Sequence, residues 1–283
     1  MATGNQSRSK SSTILTYNTT LSSLSSADGD IDLSCPLTFR ETQHLEIQLQ
    51  KVSFPTYIPN IYQNGAFNNG LVRISPDAGV TWTNVQLPAG VYSMNYISSA
   101  INTACSTWWI TASDPGYLVA YNYATKLCYI SIDSTKLAPA VGTQLAIDLS
   151  QSSIYELLGF PLATCTFITD GLHGGTVIPN LDWFGNSISV LLTNLGAMSL
   201  KNGAQSNELA SVPLIASSSN GNIYLYPQNG QEQPRIPLQN SRTILDHIGI
   251  KFVGSRANSD GTPRSLLFME GEVKLEILLY WSA

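Results

Sequence analysis

Charge is what this sequence has least of. Asp, Glu, Lys and Arg make up 12% of its 283 residues, about half of the roughly 25% usual in soluble domains. Ser, Thr, Asn, Gln and Gly carry the polarity instead. Uncharged polar groups cost less to desolvate than ions, so such a surface suits wide contact with other protein. The Ser/Thr/Asn-rich surface of an extracellular β protein would have the same composition. The formal net charge of −5 argues against duplex nucleic acid as the main partner, because phosphate binding needs clustered Lys and Arg. Arg8 and Lys10 are the one basic pair near a terminus, and two charges on a tail serve solubility.

Cysteine is scarce as well. Cys35, Cys105, Cys128 and Cys165 form no C-x-x-C pair, so metal-site spacing is absent. A chain with this much core does not need disulfides, and all four are expected as buried thiols. No stretch reaches about 18 apolar residues, so no membrane-spanning helix is expected. The first ten residues hold no apolar run of the secretory kind. Asn5 and Asn18 match N-x-[ST], but without such a signal both are expected to stay unmodified.

Catalytic patterns are missing too. The three histidines, His44, His173 and His247, have no HxH, HxxxH or HxxE partner. Asp246 and His247 are neighbours in an expected strand, which would point them to opposite faces. There is no G-x-S-x-G elbow and no phosphate loop, and Gly174-Gly175 alone indicates a turn. Nothing selects a carboxylate pair for glycoside chemistry. No catalytic, cofactor-binding or metal-binding residue is assigned, and the chain is not expected to be an enzyme.

What the sequence does contain is strand pattern. In Glu272–Trp281, Val273, Leu275, Ile277, Leu279 and Trp281 share one face while Glu272, Lys274 and Glu276 share the other. His44–Val52 repeats this, with Leu45, Ile47 and Leu49 against Glu46, Gln48 and Gln50. Further strands are expected at 71–74, 82–86, 117–123, 126–133, 144–149, 187–194, 208–215, 222–226, 244–253 and 266–269. Turn chemistry separates many of them, as at Asn202-Gly203, Asn220-Gly221, Asn229-Gly230 and Asp260-Gly261. Two helices are expected. One lies within Gly90–Cys105, with Met94, Ile97, Ile101 and Ala104 on one face and Ser93 as N-cap. The other is Ser153–Gly159, with capping-box spacing to Glu156 and a glycine stop. About twelve strands and two helices describe an all-β sandwich or jelly roll with a small helical elaboration in its middle third.

Ser75-Pro-Asp-Ala-Gly-Val-Thr-Trp82 matches the Asp-box pattern S-x-D-x-G-x-T-W of sialidase propellers. A single copy is a turn device, because a propeller needs repeated blades. In it, Asp77 bonds turn amides, Gly79 takes positive φ and Trp82 covers the loop. Residues 1–30 hold only Ile14, Leu15, Tyr17, Leu21 and Leu24 as apolar anchors. They are expected to be a flexible arm outside the fold of residues 31–283, reaching neighbouring proteins and dispensable for stability.

A set of short segments in fixed order resembles the vertex, or penton, proteins of virophages, polinton-like viruses and Maverick/Polinton elements. They are Leu87-Pro-Ala-Gly-Val-Tyr-Ser-Met-Asn-Tyr-Ile-Ser-Ser-Ala-Ile101, Tyr155-Glu-Leu-Leu-Gly-Phe160, Ser187-Ile-Ser-Val-Leu-Leu-Thr-Asn-Leu195 and Ser211-Val-Pro-Leu-Ile215. Asn240-Ser-Arg, Ile248-Gly-Ile-Lys-Phe, Leu266-Leu-Phe-Met-Glu-Gly271 and the final strand complete the series. The resemblance implies a single jelly roll over 31–283, with an insertion around 87–165. It implies a homopentamer at the fivefold vertices of an icosahedral double-stranded DNA virus or virus-like element, assembled inside the host cell. Its implied partners are a double-jelly-roll major capsid protein, other minor capsid proteins or a fibre, with no specific nucleic acid and no membrane span. It brings no catalytic residues.

Two other readings stand beside it. A glycan- or receptor-binding β-sandwich, such as a viral fibre head, would stack sugars on Tyr57, Tyr62, Trp82, Trp108, Trp109 and Trp183, although aromatics in β proteins usually fill the core. A polysaccharide hydrolase rests on the Asp-box pattern alone.

Overall fold

The computed structural model describes residues 10–22, 25–38, 44–55, 58–64, 67–106, 117–136, 144–182, 184–197, 199–201, 204–214, 224–226, 233–239, 244–258, 261–268 and 271–282. The chain divides into two compact units. One combines Met1–Ile58 with Phe184–Ala283, and the other is Pro59–Trp183.

The first unit is built on the two strands whose alternation is plainest. In Gly271–Ser282, Val273, Leu275, Ile277 and Leu279 are fully buried. Their partners in His44–Phe54 are Leu45, Ile47, Leu49, Val52 and Phe54, all buried. The inward set changes phase after Leu49. The register shifts where Ile277 faces Leu49 and Glu276 faces Lys51, leaving Gln50 as the extra residue of a bulge. The bulge keeps both Gln50 and Lys51 off the core and restores Val52 and Phe54 to it.

Strand order then defines the architecture. One sheet runs Lys10–Leu21, Gly271–Ser282, His44–Phe54, Ile236–Gln239; the other runs Gly29–Thr38, Ile244–Ala257, Ser187–Leu192, Glu208–Pro213. Numbered by position in the chain, these eight strands read 1-8-3-6 and 2-7-4-5, the two interleaved Greek keys of a jelly roll. All these neighbours pair antiparallel. Short strands extend both sheets, and Phe268 joins their interiors: its ring lies 6.0 Å from that of Phe54 in one sheet and 6.5 Å from that of Phe252 in the other. The core is the space between.

The expectation of a flexible arm over residues 1–30 is corrected for its described part. Lys10–Leu21 is the outermost strand of the first sheet, paired with Gly271–Ser282 from Lys10↔Ser282 to Leu21↔Gly271. Tyr17 and Leu21 are buried, and the Tyr17 hydroxyl donates to the Ala27 carbonyl at 2.9 Å. Threonines at 13 and 19 occupy inward positions as well, so the face is filled by residues that a hydropathy reading counts as polar. Arg8 and Asn5 lie outside the described residues.

The second unit combines strands with two helices, the small helical elaboration expected in the middle third. Thr166–Phe167, Ala146–Asp148, Leu71–Ser75 and Thr83–Gln86 form one sheet, and Gly171–Gly174, Leu127–Ile132 and Tyr117–Asn122 form another. His173 is thus in a strand. Helix α1, Met94–Cys105, starts as expected, the Ser93 side chain accepting from the Tyr96 amide. Met94, Ile97 and Ile101 are buried, but Ala104 is exposed. Helix α2, Ile154–Leu158, stops at Gly159 with φ 79°. Its expected capping box does not form, because Ser153 makes no side-chain cap bond and Ser152 Oγ instead accepts from the Ile154 amide at 3.2 Å.

Candidate functional site

The histidines and their neighbouring acids are the groups best suited to carry chemistry. His44 is exposed at the start of its strand, opposite Ser282. His173 is held by a bond between Nε2 and the Thr169 carbonyl, 2.8 Å, with its ring 5.1 Å from that of Phe167. Asp246 and His247 are brought together, contrary to the expectation that strand geometry would part them. Their Oδ1 and Nδ1 lie 2.8 Å apart. The cause is an irregularity in pairing: Leu245 faces Leu37 but His247 faces Asp32, so the alternation breaks between these two residues. Bonds to its own amide and to the imidazole hold the Asp246 carboxyl below the usual range. The couple is exposed, and among the described residues no group of three His, Cys, Asp or Glu could hold a metal.

The cysteines divide by environment. Burial pushes the Cys128 thiol up to about 12, and burial with the nearby Asp148 charge pushes Cys165 up to about 11. Neither is a thiolate near neutral pH. Cys35, expected to be buried, is exposed, because its strand keeps only Ile31 fully inside. The Cys105 side chain lies outside the described residues.

The Asp-box segment is a turn brace. Asp77 Oδ1 accepts from Ser75 Oγ and the Thr81 amide, both at 2.7 Å, and Oδ2 accepts from Thr81 Oγ1 at 2.6 Å. Gly79 has φ 89°. Trp82 lies against it and under the Arg73 guanidinium, 4.8 Å from the ring, while Arg73 reaches Asp148 at 3.6 Å. The Ser75, Asp77 and Thr81 side chains are spent inside the turn. The Thr81 and Ser75 hydrogen bonds lower the Asp77 carboxyl to about 2. A depressed carboxylate pKa stabilises the turn above the ordinary value near 3.8, and that contribution is lost as pH falls through about 2. The Thr81 amide resonance is therefore expected to hold its position down to about pH 3 and then to move with a midpoint at about pH 2; Asp77→Asn should abolish the movement.

Of the aromatics named for a sugar platform, only two are among the described residues. Tyr62 is buried, Trp82 serves the turn, and Tyr57, Trp108, Trp109 and Trp183 lie outside the described residues. A different polar cluster, which no motif signalled, covers the outer face of the first sheet. Tyr280 donates to Gln48 Oε1 at 2.8 Å, Gln48 Nε2 donates to the Gln233 carbonyl, and Arg235 stacks 3.8 Å over the Tyr280 ring. It fastens the segment before Ile236–Gln239 to the sheet.

These features define an all-β, single-jelly-roll protein whose described polar clusters serve structure. No family model matches the chain, and no curated protein does. Among solved structures it is similar to the mavirus penton protein, at 12% identity over 96% of this chain and 100% of that one, with a TM-score of 0.43. It is also similar to a chain of the Sputnik virophage structure, at 13% identity over 94% and 97% respectively, with a TM-score of 0.40.

Proposed function

We propose that this chain is the vertex subunit of an icosahedral double-stranded DNA virus or virus-like element. In this reading it is a structural protein of the virion, not an enzyme, and it forms a homopentamer surrounded by a double-jelly-roll major capsid protein. The observation that carries the reading is the strand order 1-8-3-6 and 2-7-4-5, which is the single jelly roll implied by the ordered segments between Leu87 and the final strand. A jelly roll by itself hosts several functions, so the segment order selects among them. Three features support it further. The surface is poor in charge, which lowers the cost of wide contacts. The described acids, histidines and thiols form no catalytic constellation. No helix among the described residues is long and apolar enough to cross a membrane.

The test has two arms. The isolated protein should have a solution mass five times 30.6 kDa, and purified virions should show its jelly roll at the fivefold axes by cryo-electron microscopy. A monomer in solution together with vertices built from another chain would sink the proposal. A soluble monomer that saturably binds cell-surface receptors, with no place in the shell, would favour the fibre-head reading.

A further inference from the structure

The first strand of the jelly roll, Lys10–Leu21, has one edge paired and the other open. Its paired edge runs along Gly271–Ser282 without a register shift, and on its other side the sheet ends. Among the described residues, its backbone hydrogen bonds go to Gly271–Ser282 alone. Residues 11–21 contain no charge and no proline. A long, flat, uncharged edge is a template for another strand, and folded proteins normally blunt it with charges, proline, bulges or short length. The jelly roll's other outermost strands are blunted in these ways. Gly29–Thr38 carries Asp30, Asp32 and Pro36, and its pairing breaks register between Leu245 and His247. Glu208–Pro213 has a charge at one end, a proline at the other and a bulge in its pairing. Ile236–Gln239 contains Pro237 and is bordered by the short Gly196–Ala197. Among these margins, Lys10–Leu21 alone keeps a long unprotected edge.

Burial along the strand shows where a further strand fits. Tyr17 and Leu21 are buried, and Tyr17 closes on Ala27, whose carbonyl accepts from its hydroxyl, and on Gly29. Toward the start of the strand the cover thins. Thr13 and Leu15 point inward beside Leu279 and Ile277, which are fully buried, yet both remain partly exposed. The interior rows therefore end half-covered at the margin, and one more strand alongside residues 11–16 would complete them. On the outer face Ile14 is 64% exposed and stands beside the half-buried Leu278. Apolar surface thus flanks the open backbone on both faces of the sheet.

We propose that the edge at residues 11–16 receives an added β-strand: an extended, uncharged segment of a different protein, with apolar side chains on both of its faces. In strand addition the backbone hydrogen bonds supply affinity and the neighbouring side chains supply selectivity. A charged residue placed opposite this edge would lose hydration and meet no opposite charge, since residues 11–21 carry none. An apolar residue opposite Leu15 would extend the interior row, and one opposite Ile14 would cover that side chain on the outer face. A second copy offers no matching margin among the described residues except this same strand. Two such strands pair antiparallel about a two-fold axis, which does not build a ring of five. The assignment to a different protein therefore rests on the vertex reading, whereas the open edge does not.

The test is amide hydrogen exchange of the full chain, with a capped threonine peptide carrying a run of valine at its centre as the added strand. In the chain alone, every second amide among residues 11–16 should exchange quickly, because antiparallel pairing with Gly271–Ser282 engages only the alternate ones. The peptide should slow the open amides saturably, by roughly tenfold or more. The same peptide methylated at its backbone nitrogens should leave them fast. Ile14→Lys combined with Thr16→Lys, both at exposed positions, should abolish the slowing and leave the amides bonded to Gly271–Ser282 protected. Slow exchange of all these amides in the chain alone, no effect of the peptide, or an equal effect of its methylated form would overturn the proposal. Protection that grows with protein concentration in the absence of peptide, together with a doubled mass, would give the edge to a second copy and overturn its assignment to a different protein. A subunit that takes the peptide but is no pentamer would sink the vertex reading and leave the open edge standing.

Discussion

A chain lacking residues 10–21 is expected to come out insoluble, or to unfold at a far lower urea concentration than the intact protein. Tyr17 and Leu21 are 9% and 8% exposed, and burying each is worth about 1.5–3 kcal/mol. The Tyr17–Ala27 hydrogen bond adds about 1 kcal/mol. Domains of this kind are stable by only about 5–15 kcal/mol in all, so the strand carries a large share of the total. Its loss has a second effect. Gly271–Ser282 would become the sheet margin, with unpaired backbone along a strand whose inner face is Val273, Leu275, Ile277 and Leu279, the kind of edge that recruits other chains. The single substitution Tyr17→Ala separates stability from aggregation: it should fold, but with a loss of about 3–5 kcal/mol by urea titration. An unchanged midpoint in either variant would show that this strand is peripheral, as composition alone suggests.

That contrast marks where the sequence is readable. Gly271–Ser282 and His44–Phe54 announce themselves because their buried inward positions are Val, Leu, Ile or Phe and their outward positions are mostly polar. Lys10–Leu21 has the same period, but Thr13 and Thr19 stand among its inward residues and Ile14 points out, 64% exposed. The amplitude of the pattern vanishes while the geometry remains. Ile236–Gln239 is hidden for another reason: Pro237 sits between the buried Ile236 and Leu238, and proline speaks against a strand unless the partner asks nothing of its nitrogen. Gly29–Thr38 buries only Ile31. These three strands are numbers 1, 2 and 6 of the jelly roll, so its order could not be assembled from the residues, only inferred through resemblance. The local chemistry was more legible. Asp77, Gly79 and Trp82 take the roles their spacing implies, because each acts within a few residues. The Asp246–His247 couple was not legible, since it depends on how a distant strand, Gly29–Thr38, sets the pairing.

The glycine that ends α2 should be among the least replaceable residues of the second unit. Gly159 adopts φ 79°, and a Cβ built there would stand 2.0 Å from the Val177 carbonyl oxygen and 3.0 Å from its carbon. The obstacle is backbone, which cannot rotate away as a side chain can. It is also held in place, since the Gly159 carbonyl accepts from the Thr176 and Val177 amides at 3.0 and 3.1 Å. Moving Val177 aside would stretch those bonds, each worth about 1 kcal/mol, and left-handed backbone costs a non-glycine residue about 1–2 kcal/mol more. Gly159→Ala is therefore expected to destabilise this unit by about 3–5 kcal/mol. Gly79→Ala is the internal control. Its φ of 89° imposes the same backbone strain, but its Cβ would meet only the rim of the Trp82 side chain, at 3.2 Å, which can shift. That variant should lose about 1–2 kcal/mol. Hydrogen exchange of the amides in 154–180 reads the difference directly: opening should be much easier in Gly159→Ala and nearly normal in Gly79→Ala. Equal effects would mean that backbone strain alone governs both sites and that the close approach of Val177 to Gly159 contributes nothing.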